Sequence, residues 1–552
     1  MQAILFYLGV FVIIIAVFSI LSITNRIKDK KKVKELWNTN SKWLNYTESF
    51  VYFDNFYNNL KTSNIDRSLE VDDITWNDLS LDKIFQNINY TFTSIGEELL
   101  YSTLRNIGNL NNINEKMISK FEDDDIFRKK TSLILSKLSK STNSNTSKYF
   151  LKNNNPPIRK FNIYYIFLTL LPFLGVGILF FNLILGISIV FFSIITNMAI
   201  SYKHKSDLEK EYSDLFYSLN ILNTAKSLQY LMKHEDLDIL FNFKNHKKMK
   251  FLSAFLLNDE ADANNLALQI LTGIKNAFLL DYHLFHYITG ILDENSDMYE
   301  KCWYIVAKID LNYSVAMWRK NLPYYSIPEQ TNSENLVTES VYHPLLESPI
   351  GNDLSFHKDI LLTGSNASGK STFMKSIAIN IILSNGLNTS TSKYLKYQQG
   401  KVMSSMDISD SILDGDSYFI SEIKALKRIF NEIISEENYY YCFIDELLKG
   451  TNTKERISAA DVILRDISSK SNVNLIAATH DIELTESLQH DMLMYHFSEV
   501  LEDEDIFFDY KIKEGPSRTS NAIELLRIYD FPTNIYEDAK NAYSEKYILN
   551  IL

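Results

Sequence analysis

The sequence predicts an α/β fold with a parallel sheet over its C-terminal part, preceded by an all-α region and by transmembrane helices. Three observations carry this. Short apolar runs with a polar motif at the carboxyl end, Ile360–Thr363, Tyr441–Ile444 and Asn474–Ala478, recur beyond about residue 335. Such runs read as buried strands, and their alternation with helical stretches implies a parallel sheet. Upstream, apolar positions such as Leu219, Leu222, Leu228 and Leu231 follow helical spacing. Finally, two long stretches carry no charge at all, Ala3–Ile23 and Phe161–Tyr202.

The uncharged stretches set the order of the chain. Ala3–Ile23 is close to the roughly 20 residues that a helix needs to cross a bilayer, and it predicts an anchor over residues 1–24. Arg26, Lys28, Lys30, Lys31, Lys32 and Lys34 follow it directly. Basic residues stay on the cytoplasmic side, which puts the N-terminus outside. Phe161–Tyr202 is too long for one span and fits a hairpin of two spans over residues 161–202, turning near Phe181-Asn182. Arg159 and Lys160 precede it and Lys203 and Lys205 follow it, so both flanks are expected in the cytoplasm. The expectation is a multi-pass cell-membrane protein with three transmembrane helices in the lipid bilayer.

Between these stretches, residues 25–160 read as mixed, polar and mostly helical. Asn153–Pro157 reads as a linker. Residues 203–334 read as a second helical region, closed by Pro323 and Pro328, and 335–552 as the α/β part. Net charge is −12 and the pI is near 5.4. That balance disfavours nucleic-acid binding by the whole surface and leaves room only for a local basic groove. The two cysteines, Cys302 and Cys442, do not make a disulfide framework and suit a reducing compartment.

The chemistry concentrates at the strand ends. Gly364-Ser365-Asn366-Ala367-Ser368-Gly369-Lys370-Ser371 fits the phosphate-loop pattern, with a strand before it and a helix from about Thr372. Glycines let backbone N–H groups turn towards phosphates, and the helix N-terminus adds partial positive charge. In that pattern Lys370 reaches the β- and γ-phosphates of ATP and Ser371 ligates Mg²⁺. Asp445-Glu446 closes the strand Tyr441–Ile444. Asp445 is expected in the Mg²⁺ shell, with Glu446 orienting the attacking water. Thr479-His480-Asp481 closes the next strand, where His480 can meet the γ-phosphate. Between them, Asp414–Glu422 opens a helix. Ser417 there is either an ordinary helix cap or a residue that completes the nucleotide site of an opposite subunit.

Together these motifs resemble the MutS family of ABC-class ATPases. The family's TGPNMGGKST compares with TGSNASGKST at Thr363–Thr372, GxSTFMxEM with GDSYFISEI at Gly415–Ile423, DEIGRGTST with DELLKGTNT at Asp445–Thr453, and ATHYFELT with ATHDIELT at Ala478–Thr485. His343-Pro344-Leu345 resembles an element ahead of the loop, and Gly515–Pro532 the C-terminal helix-turn-helix dimerisation segment. More weakly, Ile84–Ile107 resembles the start of the family's helical core, with residues 203–334 as its lever. The resemblance implies an ATPase that dimerises around ATP and Mg²⁺, with Glu446, His480 and Lys370 catalytic and Ser417 acting in trans. The chain departs from the pattern in two ways. No domain with an intercalating Phe-x-Glu precedes the core, and no arginine stands near Ser404–Met406. Two functions therefore remain open: a dimeric clamp acting in DNA mismatch repair or other DNA transactions, and an ATP switch that acts on a protein partner without DNA. A transporter subunit fits less well, because three spans are few.

Overall fold

The computed structural model describes residues 53–63, 65–108, 112–141, 145–151, 162–233, 266–332, 336–364, 368–406, 418–434, 438–449, 451–502, 505–517 and 531–548, with Lys31, Ile523, Leu526 and Arg527. The run Ala3–Ile23 and the linker Asn153–Pro157 lie outside the described residues, as do Ser365, Asn366, Ala367 and Ser417.

Helices α1 (Asn55–Lys61), α2 (Asp73–Asp78), α3 (Leu81–Ile88) and α4 (Ser94–Leu104) come first, then α5 (Glu115–Asp123) and α6 (Asp125–Leu138). The helices α7 (Tyr164–Ile178) and α8 (Leu183–Asp207) follow, then α9 (Glu209–Lys233), α10 (Leu266–Ala277), α11 (Leu280–Glu294) and α12 (Ser296–Lys320). The described chain groups into two compact units. One takes residues from 1–65, 89–102 and 112–320, the other from 66–88, 103–111 and 321–552. The 25–160 region is thus divided between them.

The first unit is helical. Its centre is α12, whose Tyr299, Trp303 and Trp318 are fully buried, and Phe56 of α1 lies against Trp303 with ring centroids 4.6 Å apart. Within the Ile84–Ile107 stretch, the start of α4 is fixed by packing. The buried carboxylate of Asp310 on α12 accepts hydrogen bonds from the amides of Phe92 (3.0 Å) and Thr93 (2.8 Å) and from Thr93 Oγ1 (2.6 Å). It thereby satisfies amides at the start of α4 that have no partner within the helix. A Cβ at Gly96 would stand 2.3 Å from Asp310 Oδ2, so the close approach demands glycine.

The hairpin turns where the sequence places it. Asn182 caps α8 by accepting from Leu185 N at 3.1 Å. The arms differ from the expected two full spans. Among the described residues only Leu183–Asp207 is long and apolar enough to cross a membrane, while Tyr164–Ile178 has 15 residues. The reason is local: the helix gives way to the turn after Ile178, so Leu179–Phe181 do not lengthen it. Both arms and the turn expose large apolar side chains, Phe173 at 59%, Phe181 at 92% and Phe192 at 67%.

The second unit is mixed α/β. Its strands are β1 (Glu329–Thr331), β2 (Leu336–Val341), β3 (Asn352–Phe356), β4 (Ile360–Thr363), β5 (Tyr394–Gln398), β6 (Lys401–Ser405), β7 (Tyr440–Asp445), β8 (Val473–Ala478), β9 (Leu493–His496), β10 (Glu499–Glu502), β11 (Asp505–Phe508) and β12 (Lys513–Glu514). Its later helices are α13 (Lys370–Leu387), α14 (Tyr418–Ile433), α15 (Thr453–Ser468), α16 (Ile482–Leu488) and α17 (Thr533–Ile548). The main sheet runs β12-β9-β4-β8-β7-β6. The neighbours from β9 to β6 are parallel and only β12 is antiparallel. A smaller sheet runs β1-β5-β2-β3, and β10 and β11 pair as a ribbon. The central strands β4 and β8 are buried at every position, as continuous aliphatic runs covered on both faces must be. Leu426, Ile429 and Ile433 of α14 and Leu464 and Ile467 of α15 pack with them into one core.

Candidate functional site

The motif residues meet along the carboxyl ends of β4, β7 and β8, where ligands bind in open parallel sheets. Gly364 follows β4 at φ +129°, and a Cβ there would stand 2.5 Å from the Phe497 carbonyl, so only glycine fits. Ser368 is buried and Gly369 starts α13 in a left-handed conformation. Lys370 is 1% exposed, and its ammonium donates to the Gly364 carbonyl, which turns the side chain back towards the end of β4. Ser371 Oγ donates to Asp445 Oδ2. Thr372 is exposed on the first turn of α13, and its carbonyl accepts from Ser376 Oγ.

A Mg²⁺ ion fits this pair. Asp445 Oδ1 is buried without a hydrogen-bond partner, which is costly unless a ligand meets it. A hydroxyl and a carboxylate are the hard oxygen donors that Mg²⁺ takes beside phosphate oxygens.

The Glu446 carboxylate is held from two sides. Its Oε1 contacts His480 Nε2 and its Oε2 lies 2.9 Å from Lys449 Nζ. Burial alone would raise its pKa, but His480 and Lys449 outweigh burial and hold the carboxyl low, at about 2. Glu446 and Leu448 have φ of +55° and +58°, an uncommon backbone for such residues. The turn is tied to β8 by the Glu446 amide, which donates to the Ala478 carbonyl at 3.0 Å. Strain of this kind is often found where a side chain must be aimed at a site. The arrangement offers a buried cation at the end of β4, a metal-competent hydroxyl and carboxylate, and a second carboxylate held at low pKa.

Residues 360–546 match the family model for MutS domain V. The DNA mismatch repair protein MutS of Geobacillus sp. strain WCH70 is 25% identical over 288 residues, 50% of this chain and 33% of that protein. The same-named proteins of Fusobacterium nucleatum and Finegoldia magna are each 29% identical, over 279 and 290 residues. Residues 360–546 are thus similar to domain V of the MutS family. The matches cover 48% and 50% of this chain and 31% and 33% of those two relatives, so the likeness spans about one third of each relative's length.

The MutS-type domain uses residues that motif reading does not single out. Arg456 of α15 donates to both carboxylate oxygens of Asp481, at 3.2 and 2.7 Å, and so fixes the loop carrying His480. Asn452 caps α15 by accepting from Lys454 N at 3.0 Å, which orients that helix. The ring of Tyr510 lies beside Gly369, 3.1 Å from where a Cβ would stand.

A third set comes from far upstream. Asp78 on α2 accepts from Ser404 Oγ at 2.6 Å and Met406 N at 3.0 Å, at the end of the edge strand β6. Thr75 Oγ1 accepts from Ser404 N at 3.2 Å. The expected arginine near Ser404–Met406 is absent from that stretch, but the guanidinium of Arg428, on α14, donates to the Ser404 carbonyl and to Asp72. This clasp holds the last described residues before the segment that contains Ser417. Its α2 members stand more than 300 residues from Ser404 and Arg428, so no local pattern reveals them.

Of the remaining expected elements, His343 is held neutral-favouring, at about 4, by burial and by Lys375. Gly515–Pro532 lies mostly outside the described residues, and the chain resumes as α17.

Proposed function

We propose that this chain is a membrane-anchored MutS-like ATPase. It works as an ATP-dependent dimeric clamp or switch in DNA mismatch repair or another DNA transaction. The observation that carries the ATPase reading is the convergence of Lys370, Ser371, Asp445, Glu446 and His480 at adjacent strand ends of a MutS domain V.

In this reading Lys370 moves from the Gly364 carbonyl to the β/γ-phosphates of ATP. Ser371 and Asp445 hold Mg²⁺, which when bound neutralises phosphate charge. Glu446 orients the attacking water, with His480 and Lys449 fixing its carboxylate. Ser417 of one subunit completes the site of the other, so ATP closes a homodimer and hydrolysis reopens it. The exposed apolar hairpin anchors the chain in the cell membrane, with the ATPase domain cytoplasmic and the N-terminus outside.

Nucleotide titration of the full chain tests the site. Lys370→Ala is expected to weaken Mg²⁺-ATP binding by about 10- to 100-fold, the worth of a lost hydrogen bond to a charged partner. Glu446→Gln is expected to bind ATP and lose turnover. Wild-type affinity in Lys370→Ala overturns the assignment.

The second reading, a switch that acts on a protein partner without DNA, is favoured by the net charge of −12. Duplex binding measured across salt, with and without ATP, separates the two. Binding that weakens steeply with salt supports DNA, and no binding at low salt supports the protein partner.

A further inference from the structure

The hairpin does not stand alone in its unit. The helices α10 and α11 meet in an elbow, Lys275–Asp281, and the hairpin clasps it. Asn197 is fully buried in the uncharged part of α8, and its Nδ2 donates to the carbonyls of Leu168 at 3.0 Å and Ala277 at 2.9 Å. Ser201 Oγ donates to Asn276 Oδ1 at 2.9 Å. The ring of Phe278 at the elbow tip lies 5.1 Å from that of Phe173 on α7.

These contacts fix the depth of the elbow. Asn197 stands five residues before Tyr202, the end of the uncharged run, which is about 8 Å along a helix. Phe173 stands nine residues beyond Tyr164, or about 14 Å. Tyr282, on the descending side of the elbow, is level with the base of the hairpin. Its ring is 4.2 Å from Tyr165 and 4.9 Å from His204, and its hydroxyl accepts from Asn162 N at 2.9 Å. The tip therefore rises about one and a half to two and a half helical turns above the base.

The charges of the elbow are turned inward. Lys275, 1% exposed, pairs with Asp281 at 3.0 Å, and Lys205 of α8 joins the same carboxylate at 2.7 Å. The outward side is largely apolar, with Ile274 47% exposed and Leu280 and Leu284 lining an open concavity that His283, His286 and Tyr287 also line. Exposed tyrosines stand about the base, Tyr164 at 58%, Tyr202 at 77% and Tyr287 at 42%. Such amphipathic rings favour a membrane–water interface.

We propose that the α10–α11 elbow is a further membrane-inserted element, with phospholipid acyl chains covering Ile274, Phe278 and Leu280, and Tyr287 at the headgroup level. The proposal rests on the membrane reading of the hairpin. A group that hydrogen-bonds Asn197 shares its depth, so lipid around the hairpin there also meets the elbow. The inward ion pairs remove the cost that bare charges would carry in that layer.

The test uses the full chain in phosphatidylcholine vesicles with doxyl-labelled lipid as quencher. A fluorophore is placed in turn at Phe192→Cys on the hairpin, Ile274→Cys and Leu280→Cys on the elbow, and Tyr230→Cys on α9 as the aqueous control. The native Cys302 and Cys442 are buried, and the unsubstituted chain sets the background. The expected result is strong quenching at 192, 274 and 280 and none at 230. Quenching at 192 with none at 274 and 280 overturns the elbow and leaves the hairpin reading intact. No quenching at 192 overturns the hairpin reading and the elbow with it. Two elbow positions guard against one label disturbing the fold.

Discussion

The strand β8 and the helix α8 are built from the same kinds of residue and meet opposite surroundings. In β8, Leu475, Ala477 and Ala478 are fully buried, and Ile476 is 3% exposed. In α8, Ile184 is 79% exposed and Phe192 67%. An apolar run says only that water is a poor neighbour. The exposure says whether this chain supplies the better one. For β8 it does, through β4, β7 and the helices on both faces. For much of α8 it does not, and a contiguous exposed apolar surface of that kind marks an interaction site.

A charge placed in each region separates the two most sharply. Ile476→Asp buries a carboxylate between β4 and β7, opposite Ile360 and Phe443, and is expected to cost more than about 4 kcal/mol. Loss of the protected β8 amides in hydrogen exchange reads that outcome. Phe192→Asp is expected to leave those amides unchanged and to reduce vesicle binding. Its cost is about 2.5–3.5 kcal/mol if the site is mid-membrane. Equal effects on the sheet unit from both substitutions would break the comparison.

The same contrast explains what could be read in advance. The runs at Ile360–Thr363, Tyr441–Ile444 and Asn474–Ala478 are legible because a short aliphatic run ending in a polar motif has one common solution, a buried parallel strand with a site at its end. The hairpin turn is legible because Asn182 is a strong helix cap between two apolar arms. The unequal arms are not, because helix termination after Ile178 depends on a turn that composition does not mark. The clasp of Asp72, Thr75, Asp78 and Arg428 on Ser404 is also illegible. Hydrogen bonds between positions 326 apart in sequence, such as Asp78 to Ser404, leave no periodic trace. Arg456 looks like any polar residue of a helix's first turn until Asp481 is seen beside it.

A smaller effect lies at the foot of the buried sheet. Asp359 accepts from Leu475 N at 2.8 Å, and burial raises its pKa to about 6 against the hydrogen bonds from Ser468 and Leu475. A folded-state pKa above the unfolded value of 3.8 favours the fold when the group is protonated. That contribution is complete below about pH 4 and is lost as pH rises through about 6, amounting to up to about 3 kcal/mol. Asp359→Asn keeps an acceptor and does not titrate. The variant is expected to match the wild type near pH 4 and to protect the β8 amides better at pH 8. Parallel pH profiles for the two proteins would show that the buried carboxyl is not charged at a cost.

The smallest expected effect is at the other end of the strands, where β7 and β8 reach the site. Glu446 is the reverse of Asp359: burial raises its pKa, but His480 and Lys449 together bring it to about 2. Its contribution to folding is present above the unfolded value of 4.5 and is lost as pH falls towards 2. Lys449 is 39% exposed, so solvent screens its share, and removing it is expected to cost less than about 1 kcal/mol. Its effect on protonation is easier to read. Lys449→Ala leaves burial opposed by His480 alone, so the carboxyl is expected to titrate at higher pH than in the wild type. If Glu446 orients the attacking water, only its ionised form is competent, and the acid limb of the ATP turnover profile moves up with its pKa. Lys449→Arg keeps a cation within reach and is expected to restore the wild-type limb. An acid limb unmoved in Lys449→Ala would mean that His480 by itself holds the carboxylate ionised. An acid limb that moves in Lys449→Ala and returns in Lys449→Arg would place the charge at position 449 in control of it.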